Sequence, residues 1–126
     1  MKLNTNGMKP IYVQIAQWLE TEILSGAIMT DEKIYSQYQL SDIFNINPAT
    51  AAKGLNILAD ENILYKKRGL GMFVTANAKE IIIAKRKNQT LKGLINEMIL
   101  EAERLGISDD ELSKMITEAT NQRKEA

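Results

Sequence analysis

The apolar positions of this chain change their period along its length. From Pro10 to Gly26, residues Tyr12, Ile15, Ala16, Leu19 and Ile23 recur at spacings of three and four. That is the period of a helix with one buried face. Pro10 suits the first turn of such a helix, where its missing N–H costs nothing, and Gly26 suits the position just past the end. Residues 27–35 show no helical period. Ser36-Gln37-Tyr38-Gln39 then has the spacing of a capping box. It predicts a second helix opening at Ser36, with Leu40, Ile43 and Phe44 inward. After the break at Asn45-Ile46, Asn47-Pro48 joins a capping side chain to a first-position proline. A third helix is expected there, with Ala51, Leu55, Leu58 and Ala59 buried and Ala49, Thr50, Ala52 and Lys53 facing out near its start.

Beyond Asp60-Glu61-Asn62 the pattern becomes that of strands. Ile63 to Lys67 and Met72 to Val74 flank Arg68-Gly69-Leu70-Gly71, which predicts a β-hairpin with a basic tip bracketed by glycines. Helical period returns from about Ala78 to Leu105, with Leu91, Leu94, Ile95, Met98, Ile99, Ala102 and Leu105 on one face. Ile81-Ile82-Ile83 is β-prone but sits in this helical context, and is expected to pack near the preceding elements. Gly106 ends the helix. Ser108-Asp109-Asp110-Glu111 is a second capping box, opening a shorter helix with Leu112, Met115 and Ile116 inward and a tail, residues 122–126, that should fray.

Two short helices joined by a tight turn, the second strongly capped, are the arrangement of a helix-turn-helix, whose second helix enters the DNA major groove by its N-terminal end. The small residues there allow close approach, and the helix N-terminus favours a phosphate. A basic hairpin directly after it reads as a wing. The fold class expected is mainly α with a small β-hairpin: a winged helix-turn-helix over residues 9–77, then a two-helix C-terminal dimerisation region over residues 78–126.

Composition narrows the chemistry. The 126 residues include neither cysteine nor histidine. Disulfides, zinc fingers and thiol catalysis are thereby excluded, as are the commonest general base and the usual transition-metal ligand. No catalytic residue, cofactor or metal is expected. Charge is neutral on both sides of the expected boundary: splitting after Ala78 gives 7 basic and 7 acidic residues, then 9 and 9. Bulk charge does not announce a nucleic-acid binder, so a DNA reading rests on Lys66-Lys67-Arg68 and on motif. The chain has no run of about 18 apolar residues and no secretory-type start. A cytoplasmic protein without membrane association is the expectation.

The order and spacing of four segments resemble the GntR family of bacterial regulators over Lys9 to Thr75. They are Pro10-Ile11-Tyr12-Val13-Gln14-Ile15, Ile23-Leu24-Ser25-Gly26, Asn47-Pro48-Ala49-Thr50-Ala51-Ala52-Lys53-Gly54-Leu55, and Ile63 to Val74. The short remainder is similar to the YtrA-like subfamily. The chain departs from the family where Thr30-Asp31-Glu32 replaces Pro-Gly-Asp and Ile34-Tyr35-Ser36 replaces Leu-Pro-Ser. The arginine that follows the serine by two places in the family is Tyr38 here. The resemblance implies DNA contacts at Ser36, Tyr38, Ala49, Thr50, Lys53, Lys67, Arg68 and Gly69. It also implies repression, with a neighbouring transporter operon as target.

The apolar stripe of the C-terminal helices needs a partner, and a second copy is the simplest. Leu91, Leu94, Ile95, Met98, Ile99, Ala102, Leu105, Leu112, Met115 and Ile116 are the expected dimer interface. Two such copies would read the halves of a palindromic double-stranded operator. The arm leaves little room for an enclosed effector pocket, and the sequence names no effector. If a small ligand acts, the interface or the hinge at Ala76-Asn77-Ala78 would take it. A winged-helix module that binds another protein, without specific DNA binding, is the competing reading. It draws on the zero net charge and on Tyr38.

Overall fold

The computed structural model describes Leu3 and residues 9–125. The chain divides between Lys85 and Arg86 into two compact units.

The first unit begins with α1 (Ile11–Leu24). Pro10 stands one place earlier than expected, at the cap, where its carbonyl accepts from the N–H groups of Val13 and Gln14. Helix α2 (Gln37–Phe44) and helix α3 (Pro48–Asp60) follow, then strands β1 (Leu64–Lys67) and β2 (Gly71–Val74) and helix α4 (Ala78–Lys85). The strands pair antiparallel with Leu64 opposite Val74 and Lys67 opposite Gly71. The core gathers Ile15, Leu19 and Ile23 of α1, Leu40 of α2, Ala51, Leu55 and Leu58 of α3, and Ile63, Leu64 and Val74 around the hairpin. Fully burying each large aliphatic side chain contributes about 1.5–3 kcal/mol. Trp18 packs beside this core, edge-on to Phe44 at 5.0 Å and tilted against Tyr35 at 5.5 Å between ring centroids.

Gly54 lets α1 and α3 approach closely. A Cβ there would lie 2.9 Å from the Tyr12 carbonyl oxygen and 3.1 Å from Ile15 Cγ2. One expected inward residue is not inward: Ile43 is 53% exposed. Helix α2 is only eight residues long, and Leu40 and Phe44 already fill the single stripe it turns toward α1 and α3.

Helix α4 belongs to this unit, so the unit ends later than residue 77. Ala78 and Ile82 are buried in the same core, while Ile81 is half-buried and Ile83 exposed. A polar contact completes the docking. Glu20 of α1 is 1% exposed, and Lys85 places its ammonium 2.5 Å from that carboxylate and 2.8 Å from Glu61. Burial by itself would lower the Lys85 pKa, but the hydrogen bonds to Glu20 and Glu61 outweigh it and hold the group above its usual value. A buried acid thus sits on a helix face that periodicity reads as apolar.

The second unit comprises a π-helical segment (Arg86–Leu91), α5 (Lys92–Arg104) and α6 (Asp109–Glu125). Residues 78–104 are helical as expected, but the hydrogen bonding shifts to the π pattern for six residues. Gly106, at φ +69°, breaks the chain between α5 and α6. Ser108 Oγ accepts from the Glu111 N–H at 3.2 Å. Helix α6 has 17 residues and is, as expected, shorter than the helical stretch over residues 78–104, but its tail stays helical to Glu125. Three acids in its first turn and Arg123 and Lys124 in its last complement the helix dipole at both ends. Among the described residues of this unit only Ala102 is buried, with Ile107 and Leu112 half-buried.

Candidate nucleic-acid interface

The turn between α2 and α3 is held by short-range polar contacts. Asn45 closes α2 in the left-handed conformation at φ 54°, its N–H on the Ser41 carbonyl. The Ser41 hydroxyl donates to the Ile46 carbonyl at 2.5 Å. Ser36 forms the full capping box: its hydroxyl accepts from the Gln39 N–H at 3.1 Å, and its own N–H donates to Gln39 Oε1 at 2.8 Å. Asn47 Oδ1 accepts from the Ala49 N–H at 2.8 Å, with Pro48 at the first position.

These caps aim two helix starts at solvent. Tyr38 is 66% exposed in the first turn of α2. On α3, Ala49 and Lys53 are exposed and Thr50 is half-buried. The Lys53 ammonium lies 4.2 Å from the centroid of the Tyr12 ring, a cation–π contact that restrains a long side chain. Ser36 is half-buried and its oxygen is engaged as a cap, so its first role is to order the helix.

The hairpin follows α3 directly. The Leu70 N–H bonds to the Lys67 carbonyl at 2.9 Å and closes the tip around Arg68 and Gly69. Gly69 has φ +78°, the left-handed conformation that a type II turn demands at its third residue. Lys67, Arg68 and Gly69 are all exposed. Lys67 rests its ammonium 4.6 Å from the Phe73 ring centroid, and Phe73 stacks on Tyr65 at 5.8 Å.

A third piece of sheet lies where no period was legible. Lys33 bridges Phe73, and bonds from the Asp31 and Ile34 N–H groups to the Val74 and Met72 carbonyls extend the pairing. The Tyr65 hydroxyl donates to Asp31 Oδ1 at 2.8 Å, a bond to a carboxylate that raises the phenol pKa. Lys33 is thereby carried to the wing. No signal in its local sequence marks it, because only pairing with β2 places it there.

In the second unit, Leu91, Leu94, Ile95, Met98, Ile99, Leu105, Met115 and Ile116 are exposed, Leu112 is half-buried and Ala102 is buried. An apolar hollow of about 200 Å³ opens between Met98, Ala102, Leu105, Ile107, Leu112 and Met115. Among the described residues, no helix is long and apolar enough to cross a membrane.

Comparison with known proteins places this geometry. The profile of the bacterial regulatory proteins of the gntR family matches residues 11–74, half of the chain. The HTH-type transcriptional repressor YtrA of Bacillus subtilis is 28% identical over 118 residues, spanning 94% of this chain and 90% of that protein. A crystal structure of a GntR-family transcriptional regulator from Bacteroides thetaiotaomicron superposes with a TM-score of 0.75 at 32% identity, over 90% of this chain and 99% of that one. AraR(DBD), solved in complex with operator ORX1, superposes with a TM-score of 0.54 at 27% identity, over 60% of this chain and 93% of its own. The capped helix pair and the wing of residues 11–74 are a DNA-binding helix-turn-helix, and the chain belongs to the GntR family of bacterial transcription regulators.

Proposed function

We propose that this protein is a homodimeric repressor that occupies a palindromic operator, one copy on each half-site. The observation that carries the reading is the arm. Leu94, Ile95, Met98 and Ile99 line an exposed face of α5, while Ala102 is the one buried residue among those described in the unit. An exposed apolar stripe of this kind marks an interaction surface. A second copy offers the same surface about a two-fold axis. The apolar hollow beside Met98 is smaller than the roughly 300 Å³ of a typical ligand pocket, and we assign it to a side chain of the partner copy.

Two-fold symmetry in the protein asks for the same symmetry in the DNA, with half-sites about one helical turn, or a multiple, apart. Tyr38, Ala49, Thr50 and Lys53 face phosphates and major-groove edges at the starts of α2 and α3, which Ser36 orders. Arg68 and Gly69 enter the minor groove, and Lys67 meets a phosphate. Few of these side chains can make bidentate base contacts, so DNA shape contributes to specificity. The likeness to the YtrA repressor supports repression, and the likeness to AraR(DBD) supports the winged helix as the part that meets DNA. Its target is a neighbouring transporter operon, and its place of action is the cytoplasm.

The test is footprinting and a salt titration on a duplex covering the DNA upstream of its own gene. The expected result is two symmetric protected half-sites, two chains per duplex, and affinity falling linearly with salt on logarithmic axes. A monomer by light scattering at micromolar concentration, or DNA binding indifferent to salt, overturns the reading. A protein-interaction module would leave the duplex unprotected.

A further inference from the structure

We infer that Lys33, in the segment before α2, is a phosphate-gripping residue of the wing that works with Lys67 across the side-chain-free Gly71. The inference rests on the DNA-binding reading above and adds to it a contact on a third element. In antiparallel pairing, residues directly opposite share a face. Lys33 pairs with Phe73, Phe73 with Tyr65, and Gly71 with Lys67, so all five lie on one face of this small sheet. Leu64 and Val74, on the other face, are buried in the core. The face of Lys33 is therefore the outward one.

Gly71 makes the arrangement possible. Its φ is +114°, and a Cβ there would lie 2.8 Å from Lys33 Cε and 3.6 Å from Lys33 Nζ. The lysine stem passes over the bare α-carbon and brings its ammonium toward the wing tip. Lys67 flanks the same glycine from the other strand, its ammonium over Phe73.

The acids next to Lys33 are turned to other partners. Asp31 accepts from the Tyr65 hydroxyl at 2.8 Å, and Glu32 accepts from the Met29 N–H at 2.9 Å. Among the described residues neither lysine has a salt-bridge partner. Two exposed ammonium groups beside an open stretch of backbone suit a doubly coordinated phosphate of the DNA strand.

The experiment measures affinity across a salt series for the full chain, on the upstream duplex and on a random-sequence duplex. Lys33→Met keeps the stem over Gly71 and deletes only the charge, while Lys33→Arg restores it. Each phosphate neutralised contributes about 0.9 to the slope of log affinity against log salt. Lys33→Met should therefore flatten the slope by about 0.9 and weaken binding about three- to tenfold on both duplexes, with an unchanged thermal midpoint. Lys33→Arg should return the slope of the unaltered protein. A Lys33→Met slope equal to that of the unaltered protein overturns the inference while leaving the DNA-binding reading intact. An unaltered protein that binds neither duplex defeats the reading itself.

Discussion

The two units of this protein solve the burial of apolar residues differently. In residues 9–85 each amphipathic element finds its cover within the same unit: Ile15, Leu19, Leu40, Leu58, Ile63, Val74 and Ile82 are nearly inaccessible. In residues 86–125 the stripe is equally regular, yet Leu91, Leu94, Ile95, Met98, Ile99, Leu105, Met115 and Ile116 stay in water. A regular apolar period therefore shows that a helix has a face to bury, and not what buries it. The first unit covers its own apolar faces and so can hold its helix-turn-helix in place by itself, whereas the second leaves its apolar stripe exposed.

The sharpest way to break this contrast is to place charge on the exposed stripe. Ile95→Glu with Ile99→Glu should separate the proposed dimer into monomers, seen by sedimentation. Operator affinity should fall by roughly 10²–10⁴-fold through loss of the linked second site. The thermal midpoint of the winged helix should move little. An intact dimer with unchanged affinity would mean that the arm buries its stripe elsewhere.

Within the first unit, Lys85→Met removes the cation from the buried Glu20 and should cost about 2 kcal/mol of stability by urea denaturation at neutral pH. The pH dependence has a definite sign. The folded pKa of Lys85 lies above its unfolded value of 10.5, so its contribution is complete below that value and fades as pH rises through the folded one. The stability gap between the two proteins should hold from pH 7 to about 10 and close above it. A gap that widened with alkali would contradict the ion-paired geometry.

Gly54→Ala tests the closeness of α1 and α3. Alanine favours a helix by about 1 kcal/mol, but here its methyl meets the Tyr12 carbonyl. The net expectation is a loss of about 1–2 kcal/mol, and a gain would show that the helices are free to part. The smallest effect belongs to Asn47→Ala, which removes the cap of α3 and should cost about 1 kcal/mol. A larger share of its effect should appear in DNA affinity, because the cap orders the helix start that we propose faces the groove.

The sequence alone determined the helix starts, the turn and the wing. Ser36 with Gln39, Asn47 with Pro48, and Gly69 act within four residues, so their chemistry is the same in any tertiary setting. The apolar periods likewise announced α1, α3 and the arm. Tertiary structure alone decided what those elements meet. Ile43 is left in water because Leu40 and Phe44 take the stripe of α2 that turns inward. Glu20 is buried because Lys85, far along the chain, reaches it, and the same contact carries the first unit on to residue 85. Lys33 joins the wing because a strand edge at Phe73 was open to it. Burial and pairing are contacts between distant segments, and no local spacing encodes the partner.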